Sequence, residues 1–315
     1  MEIREATDAD IPEILQVLKA SLGETSSKKS EEVWRYKHID NPFGRSLVLL
    51  AIEGSKIIGV RAFMRWKWQR TGEVLSAFRA VDTATHPKHQ GKGVFKKLTL
   101  KALEIAKQNG DHFVFNTPNE QSKPGYLKMG WEEVAKIKVR IKPINPIYWR
   151  YSKVTDQFTK DIECTEISFQ NLTEEMNAQL KSSGKFFTPK TPEYLKWRYE
   201  NNALQDYIIK ATENIYIAGY VKPHSKFREL RIVEAITVSA VSFKSINITI
   251  NDLAKEFGVQ IVTFAPSENL KFYNSFSGKF GPVLTVREIN LIENQKKGLL
   301  NLNNWTYSLG DLELF

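Results

Sequence analysis

The chain is poor in cysteine, and that absence sets the first limits. Of 315 residues only Cys164 is a cysteine. No internal disulfide can form, no cysteine cluster can hold zinc, and a reducing cytoplasm fits best. Long apolar runs are missing too. None reaches the roughly 18 residues that a membrane-spanning helix needs, so no membrane is expected as a partner. The opening MEIREATDADIPEIL brings acids early and lacks the apolar centre of a secretory leader. Patterns for nucleic-acid recognition, metal-ligand spacings and zipper heptads are also absent. The net charge of +9 comes from 45 Lys and Arg against 36 Asp and Glu, spread along the whole chain. An anionic small ligand explains that balance more cheaply than DNA or RNA. Neither nucleic acid nor metal is expected.

What is present alternates between two periods. Residues 10–22, DIPEILQVLKASL, carry Ile11, Ile14, Leu15 and Leu18 at helical spacing, and a second short helix follows Ser30 and stops before Asn41-Pro42. Three β-like runs come next: SLVLLAIEGS, KIIGVRAFMRWKW and EVLSAFRAVDTAT. The first two are joined by a turn at Glu53-Gly54-Ser55. VFKKLTLKALEIAKQNG is an amphipathic helix with Gly110 at its capping place. DHFVFNTPN then predicts a buried strand, QSKPGYLKMG a short helix, and WEEVAKIKVRI one closing strand. The order predicts an α/β unit with a mixed sheet.

Part of this order returns. EEVWRYKHIDN is echoed by PEYLKWRYENN, so Trp34-Arg35-Tyr36 answers Trp197-Arg198-Tyr199. FNTPNEQSKPGYLKMG is echoed by FAPSENLKFYNSFSG. Two similar domains are expected, at 1–142 and 161–315, joined by a linker over 143–160. The copies differ between the third strand and the long helix. There the first half has HPKHQGKG and the second VSAVSFKS, which has no glycine.

Glycines between a strand and a helix N-terminus let backbone N–H groups approach a phosphate. Lys88, Lys92, Lys96 and Lys97 add positive charge, so the loop suits a diphosphate. A Walker loop and a dinucleotide-binding triple-glycine turn both fail on spacing. Gln90-Gly91-Lys92-Gly93 after His86-Pro87 instead resembles the acetyl-CoA loop of the GNAT N-acetyltransferase superfamily, Gln/Arg-x-x-Gly-x-Gly/Ala. The last position departs from it and is Phe95. Asn119, Tyr126 and Gly130-Trp131 resemble the downstream signature of that superfamily. The resemblance covers residues 1 to about 142, and the tandem pattern is similar to a bacterial subgroup with two GNAT-like halves, here with a degenerate second half.

The resemblance implies two GNAT-like domains. Each is a mixed, mostly antiparallel twisted sheet flanked by helices. It also implies acetyl-CoA as co-substrate without a metal, and transfer of the acetyl group to a small-molecule primary amine in a ternary complex. Gln90, Gly91, Lys92, Gly93, Val94, Phe95 and Lys96 would hold the pyrophosphate, and Asn119 the pantetheine arm. Tyr126 would protonate the departing thiolate. Thioester aminolysis also needs an oxyanion donor, for which a strand bulge near Thr83 to Thr85 is the candidate, and a proton acceptor. Asp82 is the candidate base, with Glu73 as the other option. The alternative is a GNAT-like module that holds acyl-CoA without transfer, and a homodimer is left open.

Overall fold

The computed structural model describes residues 1–24, 28–147, 160–238, 243–267, 272 and 274–312. Most of the expected linker lies outside these residues. So do 239–242, where the second half stands opposite the glycine loop, and most of the turn in the second Phe-to-Tyr echo.

Strand β1 (Glu2–Glu5) leads into helix α1 (Ile11–Leu22), whose buried face is Ile11, Ile14, Val17 and Leu18. Pro12 sits in its first turn, where no intrahelical N–H is lost. Helix α2 (Glu31–His38) starts because the Ser30 hydroxyl accepts from Val33 N at 3.3 Å. Strands β2 (Leu47–Glu53), β3 (Lys56–Arg70) and β4 (Glu73–Thr85) form a meander. Helix α3 (Val94–Gln108) lies across it, close enough that a Cβ on Gly59 of β3 would stand 2.7 Å from Val94. Strand β5 (Phe113–Asn116), helix α4 (Lys123–Lys128) and strands β6 (Glu132–Lys136) and β7 (Val139–Pro143) follow.

The second half runs β8 (Lys160–Ile162), α5 (Glu166–Ser182), α6 (Pro192–Leu195), β9 (Ile208–Ala211), β10 (Ile215–Pro223), β11 (Arg228–Thr237), α7 (Phe243–Glu256), β12 (Ile261–Phe264), β13 (Phe276–Gly278), β14 (Val283–Glu288), α8 (Glu293–Leu299) and α9 (Leu309–Leu312). Among the described residues no helix is long and apolar enough to cross a membrane.

Two mixed, mostly antiparallel seven-stranded sheets result, ordered β1-β2-β3-β4-β5-β14-β6 and β13-β7-β12-β11-β10-β9-β8. The halves exchange a strand each. β14 enters the first sheet between β5 and β6, and β7 enters the second between β12 and β13. The expected single strand over 131–141 is therefore two strands in two sheets. It breaks where the exchanging chains cross. Ile137 N donates to Pro282 O at 2.9 Å and Gly281 N to Ile137 O at 3.0 Å. A Cβ on Gly281 would come within 2.9 Å of Ile137, so the crossing needs a glycine.

The repeated Trp-Arg-Tyr motifs meet each other. Trp197 Nε1 donates to the Tyr36 carbonyl at 2.8 Å, and the two rings stack with centroids 5.1 Å apart. Trp66, fully buried on β3, donates from Nε1 to Thr188 of the second half at 3.0 Å. One continuous apolar core contains residues of both halves, so neither sheet buries its face alone.

Candidate active site

β4 and β5 run parallel but stay together only over Ala77–Arg79, paired with Phe113–Phe115. β4 continues to Thr85, whereas β5 ends at Asn116, whose side chain accepts from Thr285 Oγ1 of β14 at 2.6 Å. The strands part at their C-terminal ends, the usual place for a ligand in a sheet of this kind. A cleft of about 720 Å³ lies beside this parting.

A bulge shapes one wall. Arg61 pairs with Thr83 and Ala62 with Val81, which leaves Asp82 unpaired at φ +38°. Such a residue is strained, and an aspartate tolerates the left-handed region better than most. The Thr83 hydroxyl donates back to Val81 O at 3.2 Å across the bulge.

The glycine loop forms the next wall. Gly91 and Gly93 have φ of +75° and +74°, a region costly for residues with a Cβ, and a Cβ on either would meet open space. Gly93 is the N-cap of α3, so the open N–H groups of its first turn face outward from the loop. Gln90 Nε2 donates to Thr85 O at 3.2 Å and ties loop to strand.

Tyr126 closes the cleft from α4. Its ring stands edge-on to Phe95, centroids 5.6 Å apart, and only 6% of the residue is exposed. Phe95 thus packs on Tyr126 and Gly125. The Tyr126 hydroxyl accepts from Nη1 of Arg61 at 2.8 Å. Arg61, on β3, is fully buried, and its Nη1 also donates to Thr83 Oγ1.

Of the residues expected from sequence, Thr83, Thr85, Gln90, Gly91, Gly93, Val94, Phe95, Lys96 and Tyr126 line this one cleft. Lys92 is exposed beside it. Asn119 is exposed, and its Oδ1 accepts from Ser122 N and Ser122 Oγ, each at 2.9 Å, which starts the turn into α4. Asp82 faces the other side, toward α1 and α2. Its carboxylate pairs with Lys37 and accepts from His38 Nε2 at 3.0 Å. Burial works against that charge, but Lys37 and His38 outweigh it and hold the carboxyl well below the usual range. With Asp82 ionised, the His38 Nε2 carries the proton. Nδ1 then accepts from Ser46 Oγ at 2.8 Å. Sequence reasoning missed Arg61, Lys37, His38 and Ser21, the last of which also lines the cleft.

The second sheet repeats the geometry and then fills it. β11 pairs with β12 only over Glu229–Arg231, and Val233 is bulged opposite Ala218 and Gly219. Lys190 Nζ sits between Glu234 at 2.7 Å and Asp311 at 2.8 Å. Tyr194 donates to Asp311 and Tyr199 to Glu234, each at 3.1 Å, and Arg198 Nη2 donates to Gly310 O at 2.9 Å. A space of about 40 Å³ remains there, lined by Lys190, Glu234 and Asp311 among others. From the first half, Arg79 holds the Asp311 and Leu312 carbonyls at 3.0 and 2.6 Å.

Comparison with known proteins bears on this arrangement. The model of the GNAT acetyltransferase domain matches over residues 2–134. That span holds the bulge, the glycine loop and Tyr126. Residues 2–134 thus share the pattern of a GNAT acetyltransferase domain. No curated protein matches the chain. Solved GNAT structures share the fold across both halves. A GCN5-related N-acetyltransferase from Anabaena variabilis is 14% identical, with TM-score 0.64, over 92% of this chain and 73% of that one. A conserved protein from Enterococcus faecalis, a probable N-acyltransferase, is 12% identical with TM-score 0.64, covering 91% of this chain and 72% of its own. A GCN5-related N-acetyltransferase from Kribbella flavida is 12% identical with TM-score 0.57, over 91% and 71%. At such identities the likeness is one of fold. The GNAT fold thus extends over two sheets in this chain.

Proposed function

We propose that the first GNAT domain binds acetyl-CoA and passes its acetyl group to a primary amine, by direct attack with both substrates bound. One observation carries this reading: Thr83, Thr85, Gln90, Gly91, the stretch from Gly93 to Lys96, and Tyr126 line a single open cleft. The residues fit the co-substrate. Two left-handed glycines and the N-terminus of α3 offer backbone donors to a diphosphate, with Lys96 beside them. The cleft runs from that loop along Thr83, Ala84 and Thr85 to Tyr126.

In this reading the amine nitrogen attacks the thioester carbon and the carbon–sulfur bond breaks. The Tyr126 hydroxyl gives its proton to the sulfur, and the proton lost by the nitrogen leaves to solvent and restores the phenol. Positioning supplies much of the rate, since little covalent chemistry falls to the protein. Asp82 acts as an anchor in this scheme. A carboxylate already committed to Lys37 and His38 is a weak base. Asn119 shapes the entry to α4 through its cap.

Release of CoA thiol from acetyl-CoA over a panel of amines tests the reading. Amine-dependent release is expected, reduced on the order of 10²-fold in Tyr126→Phe. Binding without release over the panel would instead make the domain an acyl-CoA-holding module.

A further inference from the structure

Arg61, buried behind Tyr126, is left without a task by the scheme above. Its residue is fully buried on β3. Among the described residues no carboxylate reaches it, and its Nε and Nη2 have no hydrogen-bond partner. Its surroundings are aromatic: its Cζ lies 4.6 Å from the Phe63 ring centroid, 5.3 Å from Tyr126 and 5.7 Å from Phe95. An unpaired buried cation is costly, so it needs a compensating role.

The geometry points to Arg61 as the positioning residue for the Tyr126 proton. A guanidinium only donates. Because Nη1 donates to the Tyr126 oxygen at 2.8 Å, the tyrosine's own hydrogen must point elsewhere. Among the described residues no protein acceptor takes it, and Tyr126 lines the open cleft. The hydrogen is therefore aimed into the cleft, toward the sulfur on the reading proposed above, on which this inference rests. The same contact serves the step itself. As the carbon–sulfur bond breaks and the O–H hydrogen moves to sulfur, the electron pair left on the phenolic oxygen lies against the guanidinium. The charge pairing is gained only as the reaction proceeds, so it favours the transition state over the ground state. Thr83 Oγ1 shares the same Nη1 and links this cation to the bulge wall. In the second sheet the residue at the place of Arg61, opposite the bulge, is Ala218. The described part of the second half thus has no guanidinium at that place.

The test is a double-mutant cycle on the full chain, read as thiol release from acetyl-CoA with glucosamine, putrescine and free lysine as acceptors. Arg61→Met is expected to match the loss of Tyr126→Phe, on the order of 10²-fold in kcat. Its KM for acetyl-CoA should stay within about twofold, and it should add less than about twofold in the Tyr126→Phe background. Arg61→Lys keeps a cation and a donor, and should recover about tenfold of kcat over Arg61→Met. Losses that multiply in the double variant overturn the proposal and leave Tyr126 as the acid. An unchanged kcat in Tyr126→Phe overturns the parent reading instead. Should Arg61→Met not fold, Arg61→Lys carries the cycle. A second readout needs no amine: the native chain should bind CoA about fivefold more tightly than desulfo-CoA, through the hydrogen bond to sulfur. Arg61→Lys should keep that preference and Tyr126→Phe should lose it. No preference in the native chain, or its survival in Arg61→Met, would overturn the assignment.

Discussion

Glu234 stands in the second sheet where Thr83 stands in the first. Each is the residue directly after the bulge, paired with the strand before it. Thr83 borders an open cleft. Glu234 is tied to Lys190 at 2.7 Å and receives the Tyr199 hydroxyl. A hydroxyl stands beside an open cleft in one sheet, and a carboxylate at the same place in the other is tied to its own chain.

The closure is held by charge. Lys190 is buried, yet Asp311 and Glu234 outweigh that burial and push its ammonium above its ordinary range. Lys190→Met leaves two buried carboxylates uncompensated and should destabilise the chain by roughly 3–5 kcal/mol. Urea unfolding measures this. Lys190→Met combined with Glu234→Gln should recover part of the loss.

The loop glycines carry a separate prediction. At Gly93, φ +74° makes any Cβ unfavourable although space is open. Gly93→Ala should cost about 1–2 kcal/mol in the left-handed conformation. Relaxing the backbone to avoid that cost would misplace the N–H groups of α3. Acetyl-CoA affinity should therefore fall about tenfold or more while the far-UV spectrum is kept.

Asp82 is expected to matter for stability more than for turnover. Its pKa is depressed in the fold, so its contribution is complete above the ordinary carboxyl value of 3.8 and is lost as the pH falls below it. Asp82→Asn strands Lys37 and should cost roughly 3 kcal/mol at pH 7, with a flatter acid limb of stability. Turnover per folded molecule should drop less than about tenfold. A complete loss in well-folded protein would restore Asp82 as the base.

His38 gives a pH window of the same sign, nearer neutrality. Burial lowers its pKa from 6.5, and the pull of Asp82 does not restore it. The unfolded chain then binds the proton more readily, so stability is complete above pH 6.5 and declines as the pH falls below it. His38→Gln should flatten that decline in thermal melts between pH 6.5 and 5, a slope set by about one proton.

The sequence made the local parts of this account legible. The loop glycines, the α3 helix and Tyr126 lie within some forty residues, and turn chemistry or helical spacing marks each one. Arg61 was not legible. In KIIGVRAFMRWKW it reads as an outward polar residue of an amphipathic strand, and its partners Thr83 and Tyr126 come from elements further along the chain. The strand exchange was hidden for a similar reason. WEEVAKIKVRI is strand-forming throughout, and only Gly281, about 140 residues on, decides where it breaks. The partners of Asp82 were not legible either, because Lys37 and His38 lie on a helix more than forty residues earlier.

The central claim is that this tandem chain has one CoA site, in its first half. Isothermal titration of the full chain with acetyl-CoA, up to about millimolar ligand, tests it most directly. The account predicts saturable binding at one site per chain, weakened by Gly93→Ala and unaffected by Lys190→Met wherever that variant is folded. No binding, or two equivalent sites per chain, would contradict it.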